Sequence, residues 1–170
     1  MIDISSIYNI NEADNIFIDA NILIFLFSPS FVSSKRFQVD KYSQIMTQLF
    51  QKKCKLFINK LVVSEFINKC MRIDFERNFN INKDKDYKKD YRTSQEYKDT
   101  LKIVITELKK FLKYAKQIND DFETFEIKDN FEIDFNDLII ADTVKKNNLK
   151  LLSDDGDYHI LGIDTNWYIK

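Results

Sequence analysis

Residues 135–158 read FNDLIIADTVKKNNLKLLSDDGDY. Leu138, Ile139, Ala141 and Val144 recur at helical spacing, so Asn136 to Lys146 is expected to form a short helix. Leu149 to Ser153 then reads as a strand, and SDDGD after it as a turn, because Asp and Gly favour turn geometry. The same alternation extends outward. Asn15 to Ala20 (NIFIDA) is a short buried strand, apolar on both faces and ending at Asp19, with a helix expected from Asn21. Val39 to Lys53 carries apolar residues at 39, 42, 45, 46, 49 and 50, the spacing of a helix, and Lys55 to Ile58 is another short strand. Asn59 suits a helix cap, since its side-chain oxygen can accept from an early unpaired amide. The helix it opens has apolar pairs at 62/63, 66/67 and 70/71. Glu96 to Gln117 is expected to form an amphipathic helix, with Leu101, Val104, Ile105, Leu108, Leu112 and Ala115 on one face. Phe122 to Ile127 reads as a strand or an extended arm, and Asn166 to Ile169 as a strand. Strands separated by helices throughout imply one α/β domain over residues 1–170, with a mainly parallel central sheet flanked by helices. Residues 1–14 form an N-terminal extension to it.

Composition narrows the chemistry. The chain has 170 residues of which 44% are apolar, enough for a sizeable core in a single domain. A phosphate cradle needs clustered glycines, and Gly156 and Gly162 are the only two, so Walker and Rossmann fingerprints are absent. With His159 the sole histidine, acid, base or metal chemistry falls mainly to carboxylates. Cys54 and Cys70 form no CxxC pair and lie away from the histidine, which suits reduced, packed cysteines and no zinc site. The longest purely apolar run, Ile22 to Phe27, is far short of the roughly 20 residues a membrane helix needs. The start MIDISSIYNI lacks a basic signal region, so a cytoplasmic location away from membranes is expected.

The net charge of −1 conceals a gradient. Residues 81–120 carry 11 basic and 7 acidic groups, whereas residues 121–170 carry 5 and 12. The basic middle contains NFNINKDKDYKKDYRT (78–93), polar and without period, which reads as a loop or mobile insertion spanning about 78–95. Its cations are either a solvated face or a surface for a polyanion, in which case Lys83, Lys85, Lys88, Lys89 and Arg92 are the nucleic-acid-binding candidates.

In a parallel α/β sheet, ligands collect at the carboxyl ends of the strands. Acids are placed there repeatedly: Asp19 after the first strand, Glu65 two turns into the helix after Lys55–Ile58, Asp137 at a helix start, and Asp155 and Asp157 after Leu149–Ser153. Each has an ordinary alternative. Asp19 and Asp137 suit helix caps, the SDDGD acids suit a turn, and Glu65 suits the edge of a helix stripe. Together, at one sheet edge, they would repel one another without a cation. An all-oxygen set of this kind suits Mg²⁺ or Mn²⁺, ions that lower the pKa of a bound water and stabilise charge on a phosphodiester.

IFIDANILIF, NKLVVSEF and FNDLIIADTVKKNNLKLLSDDGDY, in this order, resemble a PIN domain, the metal-dependent nuclease fold that includes VapC-like toxins. The resemblance implies a parallel sheet with an acidic pocket. Asp19, Glu65, Asp137 and Asp155 match the family's four acids, Asp157 a further acid, and Asn21 and Ser153 polar positions that support the pocket. It implies cleavage of RNA with Mg²⁺ or Mn²⁺ and, for the toxin subtype, a small antitoxin partner and a homodimer. Three features depart from compact VapC-like toxins: the 18 residues before Asp19, the added length at 78–93, and Asp154 where a basic residue is common. Two other readings remain. One is a non-catalytic PIN scaffold that binds RNA or a protein, although no matched acid is missing. The other is phosphoryl transfer to an aspartate, which Asn21 disfavours because nucleophilic Asp phosphatases carry a second Asp there.

Overall fold

The computed structural model describes residues 10–30, 35–120 and 134–161, together with the backbone of 168–169. Five strands form one sheet, β1 (Asn15–Ile18), β2 (Lys55–Ile58), β3 (Ala115–Gln117), β4 (Lys150–Leu152) and β5 (Tyr168–Ile169), in the order β3-β2-β1-β4-β5. Every pairing is parallel. The central strand β1 is covered on both faces, and Ile16, Phe17 and Ile18 are each fully buried, which is why it reads as an unbroken apolar run rather than an alternating one. Its register sets Phe17 opposite Phe57 on one side and Leu151 on the other.

Helices α1 (Ala20–Phe27), α2 (Arg36–Gln51), α3 (Lys60–Asp74), α4 (Gln95–Phe111) and α5 (Phe135–Lys146) flank the sheet. Asn59 caps α3 as expected, its side-chain oxygen accepting from the Val62 amide at 3.0 Å. The stripes of α2 and α3 bury Tyr42, Ile45 and Leu49, and Val62, Phe66, Cys70 and Met71. No helix among the described residues is long and apolar enough to cross a membrane.

Two expectations need correction. The helix expected to run to Gln117 ends at Phe111, and after a turn Ala115–Gln117 becomes the edge strand β3, paired in parallel with β2. Ala115 therefore belongs to the sheet and not to the α4 stripe. Ala-Lys-Gln has little β propensity, and an edge strand with Lys116 and Gln117 exposed carries no hydrophobic alternation to announce it. Phe122 to Ile127 lies outside the described residues, as do Asn166 and Thr165 ahead of β5.

The second concerns the segment expected as a loop or mobile insertion, part of which is an anchored helical turn. A helical turn at Phe75–Phe79 continues directly from α3, a second turn at Tyr87–Tyr91 returns against it, and Tyr91 is fully buried against Phe75, Phe79, Tyr87 and Tyr97 at ring separations of 5.2–5.5 Å. The Tyr91 hydroxyl donates to buried Asp74 at 2.5 Å, and Ser30, Asn78 and Thr100 also donate to that carboxylate. Burial alone would raise the Asp74 pKa, but these four donors outweigh it and hold the carboxyl below its usual value of 3.8. Only the exposed stretch between the two turns keeps a loop character.

Tyr91→Phe keeps the ring and deletes one bond to a buried carboxylate, so it should cost about 1.5–3 kcal/mol of unfolding free energy. It should also speed amide exchange in residues 80–95. Urea melts that agree with the native chain to within a few tenths of a kcal/mol would refute this anchoring role.

Candidate active site

The strand order reverses on either side of β1, since β2 and β3 lie on one side and β4 and β5 on the other although β4 comes last but one in sequence. The carboxyl ends of β1 and β4 therefore form the switch point, the usual ligand position in such sheets. Asp19 follows β1 directly, and Ser153, Asp154 and Asp155 follow β4. The Asp19 amide donates to the Leu152 carbonyl at 3.0 Å, which carries the sheet pairing up to the site.

Asp19 is only 4% exposed and serves two purposes. One carboxylate oxygen accepts from the Ala20 amide at 2.6 Å, capping α1, and the other accepts from the Ser153 hydroxyl at 2.6 Å. The capping role anticipated as an alternative is therefore real, but it uses one oxygen only. Ser153 Oγ also accepts from Asn21 Nδ2 and from the Asp155 amide, both at 3.0 Å, while Asn21 Oδ1 accepts from the Asp154 amide at 3.2 Å. Asn21 and Ser153 thus knit the two strand ends together. Asp154 is drawn aside by the Tyr42 hydroxyl, which donates to its carboxylate.

For Asp137, the competing role as a cap falls to another residue. Asp134 is the cap of α5, accepting from the Asn136 amide at 3.0 Å, and Asp137 sits in the first turn without capping it. Tyr158, fully buried, donates its hydroxyl to Asp137 at 3.0 Å. Asp137, Asp155 and Asp157 each bring a carboxylate oxygen to within 4.8 Å of the others. Asp19 and Glu65 stand outside that triad but act on it through charge. Burial pushes Asp19 up to about 7 against the lowering effect of Ser153 and Ala20, and the charges of Glu65 and Asp137 push the same way. Burial likewise pushes Asp137 up to about 6, opposed by the Tyr158 bond and reinforced by Asp155, Asp134 and Glu65.

Two residues of the site carried no assignment from the sequence. Lys69 bonds Glu65 at 2.6 Å, and although burial disfavours its charge, that bond and the fields of Glu65, Asp19 and Asp137 raise its pKa. The i, i+4 spacing of Glu65 and Lys69 was the available signal. Tyr158 had none beyond its place after Asp157, because its partner lies 21 residues away. Among the basic candidates, Lys83, Lys85, Lys88, Lys89 and Arg92 are all exposed, and of these Lys88 and Arg92 line a shared cavity beside α3. His159 is exposed on the turn after Asp157.

A cluster of acids over the switch point of a parallel sheet marks an α/β protein whose sheet edge could hold a cation. The chain belongs to the PIN domain family, whose pattern it matches over residues 16–163. That fold is a nuclease fold, and its members are generally metal-dependent ribonucleases. No curated protein and no solved structure matches the chain significantly.

The raised acids make a signed prediction for the metal-free protein. Because Asp19 and Asp137 bind protons more tightly folded than at their ordinary 3.8, protonation stabilises the fold fully below pH 3.8. That contribution is lost as pH rises through about 6 to 7. In EDTA, Tm should therefore fall between pH 5.5 and 8, and Asp19→Asn/Asp137→Asn should flatten the slope. An unchanged slope in the double variant would contradict the assignment.

Proposed function

We propose that the chain is a metal-dependent endoribonuclease that hydrolyses RNA phosphodiester bonds, with Asp19, Glu65, Asp137 and Asp155 as the catalytic acids and Asp157 as a further metal ligand. The observation that carries this reading is the convergence of Asp137, Asp155 and Asp157 within 4.8 Å, beside two more acids electrostatically coupled to them. The donor set fits Mg²⁺ or Mn²⁺: it is all oxygen, and its spacing is close to the span of two metal–oxygen bonds of about 2.1 Å each. Such an ion, when bound, supplies the Lewis acidity that activates water and offsets charge on the phosphodiester.

The chain's own residues prepare the site for it. Ser153 orients the buried Asp19 carboxylate by donating to one of its oxygens. Tyr158, whose own pKa is driven far up by burial and by Asp19 and Asp137, stays a phenol and remains a donor to Asp137 at neutral pH. Lys69 balances part of the negative charge before any cation arrives. The raised pKa values of Asp19 and Asp137 mean that protons compete with metal below about pH 7.

Cleavage of a mixed RNA panel should require Mg²⁺ or Mn²⁺ and stop in EDTA. Asp19→Asn should lower the rate at least 100-fold while retaining the native circular dichroism spectrum, and activity should climb as pH rises through 6 to 7. Equal cleavage by that variant, or cleavage without metal, would overturn the reading. We extend it to the toxin of a toxin–antitoxin pair, with a small antitoxin covering the pocket and a homodimer as partners. The support for that extension is the resemblance to VapC-like toxins. Growth arrest on induction, relieved by a neighbouring small reading frame, is its expected outcome, and unimpaired growth would count against it.

A further inference from the structure

The basic cavity beside α3 shares no lining residue with the acid cluster. It has a volume of about 400 Å³ and is lined by Ile67, Asn68, Met71, Arg72, Tyr87, Lys88, Arg92 and Tyr97, so three cations and no acid face it. Among the described residues, none of Arg72, Lys88 and Arg92 belongs to a salt bridge. Arg72 lies over the Tyr87 ring, its guanidinium carbon 3.8 Å from the centroid. That contact holds the guanidinium in place without using its N–H groups, which make no ion pair among the described residues. Tyr87 is itself fixed edge-on against Phe75 at 5.2 Å. The cavity is therefore built on the anchored part of the segment and not on its loop.

Its position relative to the carboxylates is set by one helix. Glu65 and Arg72 are seven residues apart on α3, which places them about 20° apart around the axis. Two turns separate them by about 10 Å along it. Asn68 falls between them on the same stripe. A polyanionic strand lying along α3 would meet acids at one end and unpaired cations at the other.

Resting on the nuclease reading above, we infer that Arg72, Lys88 and Arg92 form a phosphate-binding subsite for single-stranded RNA, holding the strand a few nucleotides from the bond presented to the carboxylates. The cations take backbone phosphates, while the Tyr97 ring on the cavity wall offers a surface to an unstacked base. Single strands suit this pocket better than a duplex, whose bases are stacked inward.

The test is binding of a fluorescein-labelled 12-nucleotide single-stranded RNA of mixed sequence, read by anisotropy across 50–200 mM salt in the full chain carrying Asp19→Asn to prevent cleavage. Arg72→Gln/Lys88→Gln/Arg92→Gln should weaken binding at least tenfold at 100 mM salt and reduce the salt slope by about 2, since each lost contact with a single strand removes about 0.7. Arg92→Gln alone, which leaves the Arg72–Tyr87 stack intact, should reduce the slope by about 0.7. Lys53→Gln/Lys55→Gln/Lys113→Gln, at the opposite end of the sheet, should change affinity less than threefold. Equal losses in that control, or an unchanged slope in the pocket variants, would overturn the subsite. So would intact RNA binding with loss of poly-glutamate binding, which would assign the pocket to an acidic polypeptide. Failure of the nuclease reading is scored separately, as absence of cleavage by the native chain with Mn²⁺ whatever the binding result.

Discussion

The Ser153 hydroxyl is the junction on which the site depends. It donates to Asp19 and accepts from Asn21 and the Asp155 amide, so one oxygen joins the end of β1, the first turn of α1 and the loop after β4. Asp19 is buried in a place where an unsatisfied carboxylate would be costly; among the described residues this hydroxyl and the Ala20 amide donate to it, and the Lys69 charge adds to them. The junction exists because β1 and β4 pair in parallel with Ile18 opposite Leu152. A slip of one residue would turn Ser153 to the other face of the sheet and leave Asp19 without its donor.

Around that junction the protein tolerates a concentration of negative charge by distributing the compensation. Tyr158 satisfies Asp137, Asp134 takes over the capping of α5, and Lys69 pairs with Glu65. Further along α3, Asp74 is enclosed by four neutral donors, one of them Tyr91 from the following segment. That helix therefore links two electrostatic regions, acidic near Glu65 and basic near Arg72. A net charge of −1 is the sum of separated fields and not a sign of a neutral surface.

Legibility in the sequence followed locality. β1, β2 and the bodies of α2, α3 and α5 were readable because their apolar residues repeat with the period of the element that contains them. The acids at strand ends were readable because topology puts such residues at one sheet edge, whichever fold details follow. β3 was not, because three residues of an exposed edge strand carry no pattern. The anchored character of 75–95 was hidden as well. Its polar composition describes the surface of the segment, whereas its packing depends on Tyr91 meeting Asp74, a carboxylate that Ser30 and Thr100 also donate to, so that three other parts of the chain take part.

The sequence by itself determined the α/β class, the dominance of carboxylate chemistry and the set of acids from which a site could be built, since these follow from composition and short-range periodicity. Only the tertiary structure decided which role each acid takes. Asp19 caps a helix with one oxygen and accepts from Ser153 with the other, Asp137 is relieved of capping by Asp134, and Asp154 is held by Tyr42. It also decided that Arg72 joins Lys88 and Arg92 at one cavity. Both decisions rest on distances between residues far apart in the chain, and a local pattern of residue types carries no information about those distances.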